Sequence, residues 1–338
     1  MLTALQQTPK AFLSGGGSPG RLLAANGFNL RVLRPYKKGR REHGFNAILR
    51  KDEWLALDDA VVKVGRVQLN GIEDLRMYGL TRNLGSLGVL YDQYEQQSDI
   101  SGAEQSMTGR PKGDTDLIDH DLVSVPIPIT FKDWEINLRL LEASRRGNTP
   151  IDTAMAELAT RVVSEMLEDT LFNGSSVNPG GNALYGYTNH PNRITGSLTG
   201  DGWDAANGDI IGDVIAMIAA AEAQNFRGPW VIYVPVAYMA ELRADYSANK
   251  GDRTFLERIL AIEEIQAVKS SASLTGDEVV MVQMTRDVVD LSIASDITTV
   301  QWSTAGGFIE NYRVMAAMAP RIKSPYGASA KTGVVHFT

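Results

Sequence analysis

Hydrophobic and polar positions change rhythm several times along the chain. Before residue 52 no apolar period is long enough for a core. Ser14-Gly15-Gly16-Gly17-Ser18-Pro19-Gly20 is linker chemistry, because its glycines would lose too much backbone freedom inside an element. The first helix is predicted over 52–64, where Trp54, Leu57, Val61 and Val64 share a face and Gly65 supplies a stop. Residues 66–129 then mix Gly, Asp, Gln and Ser with short apolar stretches such as 87–91, and 93–121 has no helical period. At the far end 122–129 alternates, with Val123, Val125, Ile127 and Ile129 on one face. Pro126 and Pro128 remove N–H groups from the same edge of that strand, so the edge cannot take a regular neighbour there. The stretch 66–129 is therefore predicted as a long antiparallel, two-stranded excursion with a polar tip, a form that is marginal alone in water.

Two helices are predicted next. Thr130-Phe131-Lys132-Asp133 reads as a capping box with Asp in the Glu/Gln place, and Gly147 ends that helix after Arg145 and Arg146. Thr149-Pro150-Ile151-Asp152 opens the longest helix, with Thr as N-cap and Pro at the first position. Ile151, Met155, Leu158, Val162 and Met166 form its apolar stripe, expected to face the core, and Asn173-Gly174 ends it. From 206 the pattern becomes that of an α/β lobe. A helix over 209–224 is apolar on most sides and expected to be sandwiched, and a strand over 230–234 ends at Pro235. A helix over 236–245 and a capping box at Thr254-Phe255-Leu256-Glu257 come after it. Strands are predicted at 279–284, 298–302, 308–317 and 333–338, the last expected to return toward 122–129. No repeat with a period of tens of residues is present.

Length and composition sharpen this to an α+β class. With 338 residues the chain exceeds what one core usually fills, so two or more lobes are expected. No apolar run is long enough for a spanning helix, and the N-terminus lacks the apolar core of a secretory signal. Zero cysteines exclude disulfide scaffolds, thiolate zinc sites and cysteine nucleophiles, and fit a reducing compartment. The net charge of −7 hides a division: residues 1–51 carry ten Lys or Arg against the single acid Glu42, leaving about −16 on the remainder. A basic arm on an acidic body reads first as a segment lying on another copy of the chain. Nucleic-acid contact through Arg34, Lys37, Lys38, Arg40 and Arg41 is the second reading, and a solvated tail the third.

Catalytic motifs fail their context. Gly16-Gly17-Ser18-Pro19-Gly20 has the spacing of a nucleophile elbow, but no strand precedes it and Pro19 would remove the N–H that completes an oxyanion hole. Gly15 to Gly20 has the spacing of a phosphate-binding loop, yet Arg21-Leu22 stands where Lys and Ser/Thr are needed. Asp114, Asp116, Asp119, His120 and Asp121 lack the glycine and glutamate of a calcium loop and read as a solvated tip. His43, His120, His190 and His336 form no helical metal pair. No catalytic, cofactor-binding or metal-binding residue is assigned, and the protein is expected not to be an enzyme.

The order of elements resembles the HK97-fold shell proteins, the tailed-phage major capsid proteins and the related encapsulins, most closely the encapsulin-like branch. The specific stretch is 123–191. Val125-Pro126-Ile127-Pro128-Ile129-Thr130-Phe131 leads on to Pro150-Ile151-Asp152, then Leu171-Phe172-Asn173-Gly174 and Tyr185-Gly186-Tyr187-Thr188-Asn189-His190-Pro191. The resemblance implies an HK97-like capsid fold with an N-terminal arm at 1–48, a helix at 49–65, an extended E-loop at 66–129 and a P-domain with the spine helix at 130–205. It further implies an α/β A-domain at 206–320 and a C-terminal P-domain strand at 321–338. It implies a major capsid protein that assembles through pentamers and hexamers into an icosahedral shell around double-stranded DNA, in a virion built in the bacterial cytoplasm. A separate scaffolding protein, a portal and a decoration protein would be the partners. The alternative is an encapsulin-type nanocompartment packaging enzyme cargo; members of that kind usually begin with a short inward-lining helix, from which the basic arm departs. Some shell proteins cross-link an E-loop lysine, but Lys112, the only lysine between Arg66 and Ile129, has no assignable partner, so cross-linking is not expected.

Overall fold

The computed structural model describes residues 70–98, 117–146, 154–205, 207–245, 253–327 and 330–338, with positions 57, 60, 61, 100, 102, 103, 105, 107, 108 and 115. Three sheets organise it. The first has the order β1 (Thr81–Asn83), β9 (Val289–Thr304), β10 (Ile309–Ile322), β4 (Ile129–Asn137). β10 is antiparallel to both β9 and β4, and β1 is parallel to β9. The second sheet runs β5 (Ile194–Gly196), β11 (Val334–Phe337), β8 (Val279–Gln283), β6 (Trp230–Pro235), β7 (Ile265–Ser271). The third is a ribbon of two strands, β2 (Tyr91–Gln97) and β3 (His120–Pro126).

Helices α1 (Asn70–Met77), α2 (Leu138–Arg146), α3 (Ala154–Asn173) and α4 (Ile210–Glu222) accompany these sheets. The spine helix α3 lies on the first sheet, where Ala156, Ala159, Val163, Leu167 and Leu171 share a core with Trp134, Tyr312 and Val314. Trp134 and Tyr312 stack at 4.3 Å between ring centroids. Leu57 and Val61, both helical, are buried in the same core. Strand β6 is apolar throughout because both faces are covered. Its period of two sends Val231 and Tyr233 into the spine-helix core, while Trp230, Ile232 and Val234 enter a second core with Val214 and Met217 of α4.

Several sequence expectations are corrected. Residues 129–137 form strand β4, not the start of a helix. Asp133 is spent on a two-toothed ion pair with Arg313, directly across the ladder at 2.6 Å, and the helix starts only at α2, where Asn137 accepts from the Arg139 N–H. The Thr-x-x-Asp pattern imitates a cap because it is local, whereas the partner strand that overrides it is not. The C-terminal strand β11 pairs with β5 and β8, not with 122–129. Strands β9 and β10, inside the stretch expected as one α/β lobe, pair with each other and join β4 instead. Helix α1 lies inside the stretch expected as the excursion, and β7 is an additional strand that the residue pattern does not mark.

Other local signals hold. Thr254 accepts from the Glu257 N–H as its capping box predicts, and the helix expected over 209–224 starts at a cap not among the expected ones, Asp209 accepting from the Gly212 N–H. β3 has β2 as its only ladder partner among the described residues, in keeping with its proline-bearing edge. No helix among the described residues is long and apolar enough to cross a membrane.

Candidate assembly surfaces

The ribbon is fastened at its root. Arg321 on β10 is almost wholly buried, holds Asp290 with Nε and Nη2 at 2.7 and 2.5 Å, and reaches Asp92 on β2 at 3.0 Å. Lys323 adds a second cation to Asp290 at 2.9 Å, while Ser292 Oγ donates to Asp92 at 2.6 Å. Burial alone would raise the Asp290 carboxyl, but the bonds from Arg321 and Lys323 outweigh it and hold the group below the ordinary Asp range. Tyr94 OH donates to the Ile322 carbonyl and Gln96 to Ser324, so alternate ribbon residues are tied to the end of β10 and the segment after it. Beyond this root the ribbon leaves the core. Leu117 is 87% exposed and Leu122 57%, and Ile100 and Met107 are also bare.

A second exposed surface is the stripe on α3. Met155, Leu158, Val162 and Met166, expected to be core, lie on the outer side of the helix, each nearly half exposed. The buried side instead carries Ala156, Ala159 and Ser164, whose small side chains let the helix approach the sheet, together with Val163, Leu167 and Leu171. A third surface is the uncovered face of the first sheet, where the Arg313 guanidinium sits 4.2 Å from the Phe131 ring and 5.4 Å from that of Trp302. Phe131 is half exposed there.

Two of the motif segments that carry the resemblance, 171–174 and 185–191, close the end of the spine helix; 125–131 runs from β3 into β4, and 150–152 lies outside the described residues. Tyr187 N–H and Thr188 N–H donate to the carbonyls of Leu171 and Phe172, and Asn189 donates to that of Asn173 while accepting from Gly186 N–H. Carbonyls at the last turn, orphaned in any helix, are thus satisfied by a returning loop. Gly174 has φ +75°, and a Cβ there would lie 2.5 Å from the Leu184 carbonyl oxygen, so no other residue fits.

His190 and His336 are both pushed down to about 4, first by burial and then by the Arg193 charge, and so stay neutral. His120 faces Glu95 across the ribbon at 2.6 Å. No group of three His, Cys, Asp or Glu is placed to hold a metal among the described residues. Arg34, Lys37, Lys38, Arg40, Arg41, Lys112 and the serine motif at 16–20 lie outside the described residues. The root residues that sequence reasoning missed, Asp92, Asp290 and Arg321, gave no local signal, because they are charged residues far apart in the chain.

The family described as "Family of unknown function (DUF6260)" matches residues 44–337. The type 1 encapsulin shell protein EncA of Myxococcus xanthus is 27% identical over 289 residues, covering 82% of this chain and 91% of that protein. The diheme-cytochrome-encapsulin shell fusion protein of Kuenenia stuttgartiensis is 24% identical over 286 residues, covering 82% of this chain and 72% of that protein. Among solved structures, the virus-like particle from Pyrococcus furiosus superposes with a TM-score of 0.62 at 14% identity, over 86% of this chain and all of that one. The capsid of Myoviridae phage XM1 gives 0.61 at 12% identity, over 79% of this chain and 92% of that one. The fold is thus that of the HK97-like capsids and shells.

Proposed function

The chain belongs to the DUF6260 family and has the HK97 capsid fold, and from that premise we propose that it is a self-assembling shell subunit, of the encapsulin kind, that encloses protein cargo. The observation that carries the reading is the ribbon: two strands with no third among the described residues, locked at the root by buried charges and lined beyond it with bare apolar side chains. A ribbon of that kind is marginal in water and an aggregation hazard unless another chain covers it. The spine-helix stripe and the uncovered sheet face need cover too, and a closed shell supplies it from neighbouring copies or enclosed cargo. In this reading the ribbon is the extended loop, the first sheet with α3 the peripheral domain, and the second sheet with α4 the axial domain. The encapsulin relatives favour cargo over genome. The protein then acts by enclosing rather than by catalysis.

A second reading, a virion capsid around double-stranded DNA, is favoured by the basic arm, whose ten cations in residues 1–51 suit phosphate contact. Pentamers and hexamers, a scaffolding protein, a portal and a decoration protein belong to that reading. Size-exclusion chromatography followed by negative-stain electron microscopy tests both. Closed particles are expected. Co-purifying protein with little nucleic acid supports the compartment, packaged nucleic acid supports the capsid, and a monomer or dimer that never assembles refutes both.

A further inference from the structure

Glu168 lies on the inner side of the spine helix and is almost wholly buried. Its Oε1 accepts from the Gly71 N–H at 2.8 Å, so this carboxyl holds the first turn of α1 against α3. Gly71 makes that approach possible, since a Cβ there would lie 2.7 Å from a Leu171 methyl group. The other oxygen, Oε2, is buried without a hydrogen-bond partner, and so are Tyr187 OH and Ser164 Oγ. The charged and titratable groups around it are Asp74 from α1, Lys269 from β7, Tyr233 from β6 and Tyr187 from the returning loop. Lys269 is paired with Asp74, which also accepts from Tyr233 OH at 2.8 Å. Two buried carboxyl groups therefore share one cation, and that cation is engaged by Asp74.

We propose that Glu168 is a proton-operated latch: neutral, it holds α1 on the spine helix; ionised, it lets α1 open. The chemistry is that of desolvation and like charge. With Oε2 buried and unpartnered, loss of the proton puts a second negative charge beside Asp74 in a dry environment, where the one cation, Lys269, is already engaged. Burial pushes this carboxyl up to about 7, against the two backbone N–H bonds from Gly71 and Ile72 that pull it down, with Asp74 adding to the rise. The closed state thus holds its proton more tightly than the open state. The latch is complete below the ordinary Glu range and its contribution is lost as pH climbs from there toward the raised value. Because α1 leads directly into β1 on the sheet that anchors the ribbon, opening α1 loosens the ribbon's support.

Hydrogen exchange on the full chain, corrected for the intrinsic pH dependence of amide exchange, tests it at residues 70–77. Protection there is expected to fall about tenfold per pH unit between about pH 5 and pH 7 and to level off above that. Glu168→Gln, which keeps the acceptor and supplies permanent N–H donors, is expected to keep those amides protected across the whole range. Protection in the wild type that does not fall with pH overturns the latch, as does a fall that persists in Glu168→Gln. If the variant fails to fold, the wild-type profile decides alone.

Discussion

Replacing Arg321 with Met removes the cation at the root of the ribbon while keeping most of its volume. Both carboxylates it serves are buried, so their charges cannot simply be handed to water. Breaking a buried pair by deleting one partner usually costs about 3–5 kcal/mol, because the remaining charge is left uncompensated. Here Asp290 keeps Lys323 at 2.9 Å, and Asp92 keeps the Ser292 hydroxyl and a longer contact with Arg82 at 3.5 Å. The expected loss is therefore at the lower end, about 3 kcal/mol, a large share of the roughly 5–15 kcal/mol that holds a typical domain. Urea unfolding of unassembled subunits, followed by fluorescence of the buried Trp134, Trp203 and Trp230, measures it. Adding Asp290→Asn removes one stranded charge, so the double variant should lose less than the two single losses together. Amide protection in β2 should drop in Arg321→Met, since the ribbon's root is what the cation secures. A loss below about 1 kcal/mol with unchanged protection in β2 would show that the network does not hold the ribbon.

Leu117→Asp with Leu122→Asp should leave subunit stability within about 0.5 kcal/mol, both residues being exposed, yet abolish closed particles in electron micrographs; intact particles would remove the ribbon from the interface. Gly174→Ala forces a left-handed backbone and a contact with the Leu184 carbonyl, so a loss of about 1–3 kcal/mol in urea unfolding is expected. His190 and His336 are held down to about 4 against an unfolded value near 6.5, so the folded chain binds fewer protons between those limits. Their contribution is present above about pH 6.5 and is lost as pH falls toward 4. Glu168 acts in the opposite sense over part of that window, so the informative measurement is the urea midpoint of His336→Gln against wild type at both ends. A shallower acid decline is expected in the variant.

Local features were legible in the residues alone. The cap at Thr254, the glycine stop at Gly174 and the apolar run of β6 are set by a few adjacent residues, since hydrogen-bond satisfaction and side-chain period need no distant partner. The resemblance rested on segments of the same kind. Pro126 likewise marked an edge of β3 that takes no ladder partner among the described residues, whereas Pro128 falls in the break where the strand expected over 122–129 ends and β4 begins. Which faces meet was settled by packing in three dimensions. Residues 129–137 carry a cap-like Thr and Asp, but the ladder with β10, whose residues lie about 180 positions later, makes them a strand. The stripe at Met155, Leu158, Val162 and Met166 was legible as apolar but not as outward, because the opposite side, with Ala156, Ala159, Val163, Leu167 and Leu171, is apolar too, and only the sheet beneath decides which of the two is buried. The cation at Arg321 and the carboxylates at Asp92 and Asp290 were invisible as a group, for charges on separate strands acquire partners only when burial removes water from between them.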